Sequence, residues 1–188
     1  MNKIVAVTGM CGAGKTTVAL QLKEIGYQYV RFGQVVMDIL QKRNVAISEE
    51  NERSVRNELR RINGMEAFAI ANEKKITDLL LKGNVVIDGL YSFAEYKVLK
   101  KNWGKQFFTL AIYAPPECRY ERVANRVMDD SDKVLNNRPL TNKQALARDY
   151  DEIENADKGG PIAIADWTIV NTHSIACLRK NVEEFLNA

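Results

Sequence analysis

Short, continuous apolar runs alternate along this chain with longer stretches in which apolar residues recur at helical spacing. Ile4 to Val7, Val85 to Ile87, Phe107 to Tyr113 and Thr168 to Val170 are the runs of strand length. They lack the polar alternation of a half-exposed strand, so they read as strands covered on both faces, as in a parallel sheet. Lys15 to Ile25, Met65 to Lys82, Pro116 to Met128, Leu140 to Asn155 and Ser174 to Leu186 carry the helical pattern. Gly83 and Asn84 stop one helix before a strand, while Pro115 and Pro116 open another after one, in keeping with capping preferences. The alternation predicts an α/β fold, a parallel sheet flanked by helices.

Two stretches fit that alternation poorly. Gly33 to Asn63 reads as one or two polar helices inserted before the next core element. Asp129 to Leu140 opens on Asp129, Asp130, Ser131 and Asp132 and reads as a charged excursion. Both are placed where mobile flaps over a site are expected. With 188 residues, 46% hydrophobic and 27% charged, and with no repeat or linker, the chain reads as one domain over 1–188. The net charge of +3 suits an anionic small molecule, is too small for nucleic acid, and comes with 8% aromatic residues that form no stacking platform. Cys11, Cys118 and Cys177 lie far apart without metal or redox spacing, which points to a reducing compartment. The first apolar run ends before Gly9, too short for a signal or membrane segment, so a cytoplasmic protein is expected.

Gly9, Met10, Cys11, Gly12, Ala13, Gly14, Lys15 and Thr16 satisfy the pattern G-x-x-x-x-G-K-[ST] directly after a strand and before a helix, the setting that a P-loop requires. Glycines at 9, 12 and 14 let the backbone curl so that successive N–H groups face phosphate oxygens, and the helix after them adds its positive end. Lys15 is expected to reach the β- and γ-phosphates of ATP, with the Thr16 hydroxyl on Mg²⁺ and Ala13 and Thr17 completing the nucleotide contacts. Cys11 reads as a small filler. Asp88, ending an apolar strand before Gly89, is expected to hold a water of the Mg²⁺ ion.

A P-loop serves switches, motors and kinases alike. No N-K-x-D element for guanine appears, since Asn142, Lys143, Gln144 is followed by Ala145, and there is no L-S-G-G-Q string. The second half instead carries Arg119, Arg122, Arg126, Arg138 and Arg148, with Arg119, Arg122 and Arg126 spaced for one helical face. Clustered guanidinium groups suit phosphoryl transfer, where negative charge spreads over the moving group. With Gly9 to Thr16, the segments Arg31 to Val36, Glu58 to Ala67, Val85 to Ser92 and Ala165 to Asn171 resemble, in order and spacing, the nucleoside monophosphate kinase group of P-loop proteins. The resemblance is closer still to the adenylate kinase-related and dephospho-coenzyme A kinase-like proteins.

That resemblance implies a P-loop NTPase three-layer α/β/α sandwich with a parallel sheet of about five strands. It also implies a helical acceptor-binding insertion near 33–63 and a lid near 129–140. By position it makes Lys15, Asp88, Arg126 and Arg148 catalytic, puts Arg122 and Asn171 near the adenine, and puts Gln34, Arg56, Arg60 and Tyr91 on the acceptor. Where adenylate kinases carry two acceptor arginines, this chain has Met37 and Tyr91. Where dephospho-coenzyme A kinases carry an Asp after the second strand, it has Arg31 and Gln34, with Asp38 one turn on. Without a clear base, a phosphate acceptor is favoured over a hydroxyl. The expectation is an ATP- and Mg²⁺-dependent small-molecule kinase with a nucleotide-like acceptor (a nucleoside monophosphate or dephospho-coenzyme A), binding neither nucleic acid nor membrane. The alternative is a nucleotide-gated regulatory ATPase with a protein partner. His173 reads as a surface residue, and Gly159-Gly160-Pro161 as a turn before the last strand.

Overall fold

The computed structural model describes residues 1–127 and 139–188. The described residues form one parallel sheet from β1 (Ile4–Thr8), β2 (Gln28–Arg31), β3 (Val85–Asp88), β4 (Phe107–Tyr113) and β5 (Trp167–Val170). The strand order is β2-β3-β1-β4-β5, and every pair runs parallel. Within β1, Ile4 and Ala6 join one core cluster with Val30, Phe68, Ile87 and Leu99, whereas Val5 and Val7 join another with Val18, Leu22, Ile112 and Leu178. Alternate residues of a single strand thus feed two dry layers, which is why β1 is apolar at every position.

Helices α1 (Lys15–Glu24), α2 (Gln34–Lys42), α3 (Glu49–Asn63), α4 (Ala67–Leu80), α5 (Phe93–Trp103), α6 (Pro116–Ala124), α7 (Asn142–Glu154), α8 (Gly159–Ala163) and α9 (Ile175–Asn187) cover the two faces. The first irregular stretch contains α2, with Val36, Met37 and Leu40 buried, and the polar α3, capped by the Ser48 hydroxyl. The second, with Arg138, lies outside the described residues except for its end.

Three elements depart from the sequence expectation. The second strand carries Gln28, Tyr29 and Arg31 around a single buried Val30 because it is a sheet edge, so it lacked the apolar run that marks the others. Helix α6 stops at Ala124, which removes Arg126 from the helical face it was expected to share with Arg119 and Arg122. The Gly159-Gly160-Pro161 segment is the short helix α8 rather than a turn.

One cap positions the chain beside the site. The Ser92 hydroxyl accepts from the Glu95 N–H at 3.1 Å, and Glu95 Oε2 accepts from the N–H groups of Tyr91 and Ser92 at 2.8 and 3.1 Å. Ser92 Oγ also donates to the Met65 carbonyl at 2.8 Å, joining the start of α5 to the segment before α4. Replacing Ser92 with Ala therefore removes a cap and leaves a carbonyl without its donor. The expected loss is roughly 1–3 kcal/mol in urea unfolding, against about 1 kcal/mol or less for Thr141→Ala at the exposed cap of α7.

Candidate functional site

The ends of three strands meet at the carboxyl edge of the sheet, with Arg31 in register with Asp88 and Asp88 in register with Val7. The chain leaves β1 there and enters α1 through residues 9–14, at the point where successive connections pass to opposite sides of β1. Gly12 and Gly14 adopt φ of 78° and 105°, the left-handed region, and the neighbouring chain is close enough to forbid a side chain. A Cβ on Gly12 would lie 2.8 Å from Val123 Cγ2, and one on Gly14 would lie 2.5 Å from Asn171 Nδ2.

The loop's carbonyl groups are held from outside. Arg119 Nη1 donates to the Cys11 carbonyl at 3.0 Å, Asn171 Nδ2 to that of Ala13 at 2.8 Å, and Lys15 Nζ to that of Met10 at 2.9 Å. The first N–H groups of α1 have no partner within the helix, the arrangement by which helix N-termini bind phosphate oxygens. Asn171 is buried and acts on the loop backbone, which defines a different contact from the adenine edge expected of it.

Arg119, grouped by sequence with Arg122 and Arg126 as cations suited to phosphoryl transfer, has a structural place instead. It is buried and gives Asp149 a bidentate pair at 2.9 and 2.6 Å. Its Nε donates to the Ala114 carbonyl at 2.9 Å, and the Tyr120 hydroxyl adds a bond to Asp149 at 3.0 Å. Loop, α6 and α7 are fastened together through this one guanidinium.

A second set of charges surrounds Lys15. Burial and the nearby Lys158 lower the Lys15 pKa from 10.5 to about 8. Lys158 is fully buried, donates to Glu152 Oε2 at 2.6 Å, and lies 5.1 Å above the Tyr91 ring. Arg148 Nε donates to the other Glu152 oxygen at 3.1 Å. Burial pushes the Glu152 carboxyl up, but Lys158, Arg148 and Lys15 outweigh it and hold the pKa at about 2. The i,i+4 spacing of Arg148 and Glu152 was readable in the sequence, whereas Lys158 carries no motif.

Asp88 is buried, and its Oδ2 accepts from the Tyr29 hydroxyl at 2.8 Å. Thr16 and Thr17 stand exposed at the start of α1. Among the described residues no cluster of three or more His, Cys, Asp or Glu side chains is arranged for a metal. A Mg²⁺ ion fits here only as one that takes most of its oxygens from phosphate and water, the manner usual for this ion, with Thr16 and Asp88 as the protein's donors.

Beside these groups opens a cleft of about 600 Å³ lined by Arg31, Arg53, Arg56, Arg60, Arg126 and Arg148, with Val36, Met37, Phe68 and Tyr91 as its apolar wall. Glu52, Asp151 and Glu152 are the acidic lining residues among those described. The cleft gathers Arg56, Arg60, Tyr91, Arg126 and Arg148 from separate parts of the chain. Gln34 is turned along its own helix, donating to Asp38 at 3.0 Å, and Arg122 has its Nη1 buried in α6 without a partner. His173 is exposed.

A phosphate-binding loop on a parallel sheet of this order defines a P-loop protein with the nucleoside monophosphate kinase type of fold. Residues 5–154 match the family model described as an AAA domain. A UPF0200 protein of Pyrococcus abyssi is 33% identical over 182 residues, covering 96% of this chain and 93% of that one. The chain belongs to that AAA-domain family and to the UPF0200 proteins. A UPF0200/UPF0201 protein of Archaeoglobus fulgidus is 32% identical over 185 residues, and there the match covers 98% of this chain but only 55% of the relative. Shikimate kinase from Acinetobacter baumannii shares the fold at a TM-score of 0.57 and 18% identity, covering 99% of this chain and 92% of that one. A gluconokinase from Sinorhizobium meliloti does so at 0.58 and 12%, covering 99% and 91%.

Two outcomes follow from the charges. Asp149→Asn, or Arg119→Met, leaves a buried charge uncompensated and is expected to cost roughly 3–5 kcal/mol in denaturant unfolding. A bound triphosphate favours the ammonium form of Lys15, so above about pH 8 binding must take up a proton and affinity falls as pH rises through that value. Titration calorimetry of ATP in two buffers of different ionisation enthalpy is expected to show this uptake at pH 9 and not at pH 6.5. In Lys15→Arg, whose guanidinium stays charged, the uptake disappears.

Proposed function

We propose that this protein is an ATP-dependent phosphotransferase that moves the γ-phosphoryl group onto a small, anionic, nucleotide-like acceptor. The observation that carries the proposal is the arginine-lined cleft beside the phosphate-binding loop, joined to it through Glu152, which Arg148 and the loop's Lys15 both influence. A site meant only to sense a nucleotide needs no second concave surface of that charge. The apolar wall of Phe68 and Tyr91, with edges meeting at 6.0 Å between ring centres, suits a flat ring attached to the anionic part.

In this reading the loop N–H groups and Lys15 hold the β- and γ-phosphates, and Arg122 lies toward the base. Asn171 keeps the loop in shape. Arg126 and Arg148 face the transferring group from the cleft, where a preorganised cation stabilises the charge that spreads over it. Arg56, Arg60 and Tyr91 receive the acceptor. Thr16 and Asp88 would hold Mg²⁺, which would supply charge neutralisation. Among the described residues no helix is long and apolar enough to cross a membrane and the three cysteines are free, in keeping with action in the cytoplasm.

The test is ADP release across nucleoside monophosphates, nucleosides and dephospho-coenzyme A. At least one is expected to consume ATP faster than water does, and Lys15→Ala is expected to lower that rate by roughly 10²–10³-fold while the circular dichroism stays native. If every small acceptor fails and a protein partner instead stimulates hydrolysis, the regulatory ATPase reading replaces this one.

A further inference from the structure

The turn after α7 carries a charge into the interior. Asp157 takes a φ of 51°, a left-handed conformation that residues other than glycine seldom adopt, and the Lys158 N–H reaches back to the Glu152 carbonyl at 3.1 Å. The chain doubles back there, and the Lys158 side chain returns to the last turn of α7. Its ammonium group is fully buried, 5.1 Å above the Tyr91 ring, and its hydrogen bond among the described residues is the one to Glu152 Oε2 at 2.6 Å. Lysine is almost never fully buried unless paired, and here the pairing also requires a left-handed residue to make it.

What this lysine occupies matters for Arg148. A guanidinium and a carboxylate prefer the two-bond fork, as Arg119 forms with Asp149 in the interior and Arg43 with Glu58 at the surface. Arg148 and Glu152 depart from that preference. A single bond joins them, from Nε to Oε1 at 3.1 Å, while Oε2 is taken by Lys158. The carboxylate is not a weak partner, since its pKa of about 2 keeps it ionised at neutral pH. Nη1 and Nη2 of Arg148 have no hydrogen-bond partner among the described residues, and the side chain, 42% exposed, lines the cleft beside the phosphate-binding loop.

We propose that Lys158 is a positioning residue: by holding Oε2 of Glu152 it bars Arg148 from closing a fork on that carboxylate, and so keeps both Nη groups of Arg148 available to an anion in the cleft. Glu152 then holds Arg148 at one point only. Lys158 itself touches no nucleotide and acts through Glu152. The identity of the anion as the phosphoryl group in transfer rests on the kinase reading; the barred fork does not. Without Lys158 the same carboxylate becomes a trap, because a fork satisfies both partners and withdraws an Nη group from the cleft.

The test is ¹⁵N NMR of the arginine side chains, with the Arg148 signals assigned by their loss in Arg148→Lys. A guanidinium held at Nε alone keeps its Nη groups rotating, whereas a fork slows that rotation and separates their resonances. Averaged Nη signals are expected in the wild-type protein and separated ones in Lys158→Met. Separated signals already in the wild type overturn the proposal without any variant having to fold, and averaged signals in both proteins overturn it equally. Turnover is read with the acceptor that the ADP-release screen yields. There Lys158→Met is expected to lower kcat roughly 100-fold, as for the loss of one preorganised donor, with KM for both substrates held. In an Arg148→Lys background, where no fork can form, Lys158→Met is expected to cost nothing further. An equal loss in both backgrounds, the mark of a merely structural lysine, overturns the proposal. If no acceptor turns over, the kinase reading falls and the NMR outcomes still decide whether Lys158 bars the fork.

Discussion

The bidentate pair between Arg119 and Asp149 is the interaction on which the rest of the site depends. Both side chains are almost wholly removed from water, and the guanidinium gives two further donors to the carbonyl groups of Ala114 and Cys11. An ion pair in that position is dearly desolvated and survives because four of the five guanidinium N–H groups and both carboxylate oxygens are matched. What it secures is geometry. The phosphate loop has almost no side chains of its own to pack, so its shape is imposed by Arg119 on one flank and Asn171 on the other. The same pair sets where α7 runs, and with it where Arg148 and Glu152 stand.

From that placement follows an uneven distribution of charge. Glu152 is the carboxylate shared by a fixed cation and a more exposed one, since the Lys158 side chain is 1% exposed and that of Arg148 is 42%. Arg148 can leave for an anion without stranding Glu152, because Lys158 remains. Lys15 is in a comparable position, parked on the Met10 carbonyl of its own loop and depressed in pKa by burial and Lys158. Both cations are thus fixed beside the loop in advance, an electrostatic preorganisation that would leave little rearrangement to do on binding a phosphate.

How much of this was legible in the sequence varied with how local its cause is. The phosphate loop could be read because its glycines, Lys15 and Thr16 are contiguous and its strand and helix flanks are short-range features. β1, β3, β4 and β5 could be read because strands buried on two faces are apolar throughout. β2 could not, because an edge strand tolerates Gln28, Tyr29 and Arg31. Arg126 was put on a helix that ends two residues earlier. The partners that define the site are distant or unpatterned. Asp149 is 30 residues from Arg119 and Asp88 is 59 from Tyr29, and no spacing rule connects them. Lys158 is only six residues from Glu152, but the chain turns between them at the end of α7, so helical periodicity gave no warning.

The complete burial of Lys158 has a further consequence, for the descent of the family. Replacing Glu152 alone strands the sealed ammonium of Lys158 in the interior, whereas replacing Lys158 alone leaves Glu152 with the more exposed Arg148. Change at these two positions is therefore ordered: the lysine can go first, the glutamate cannot. Lineages that carry this site should accordingly show the glutamate without the lysine more readily than the lysine without the glutamate.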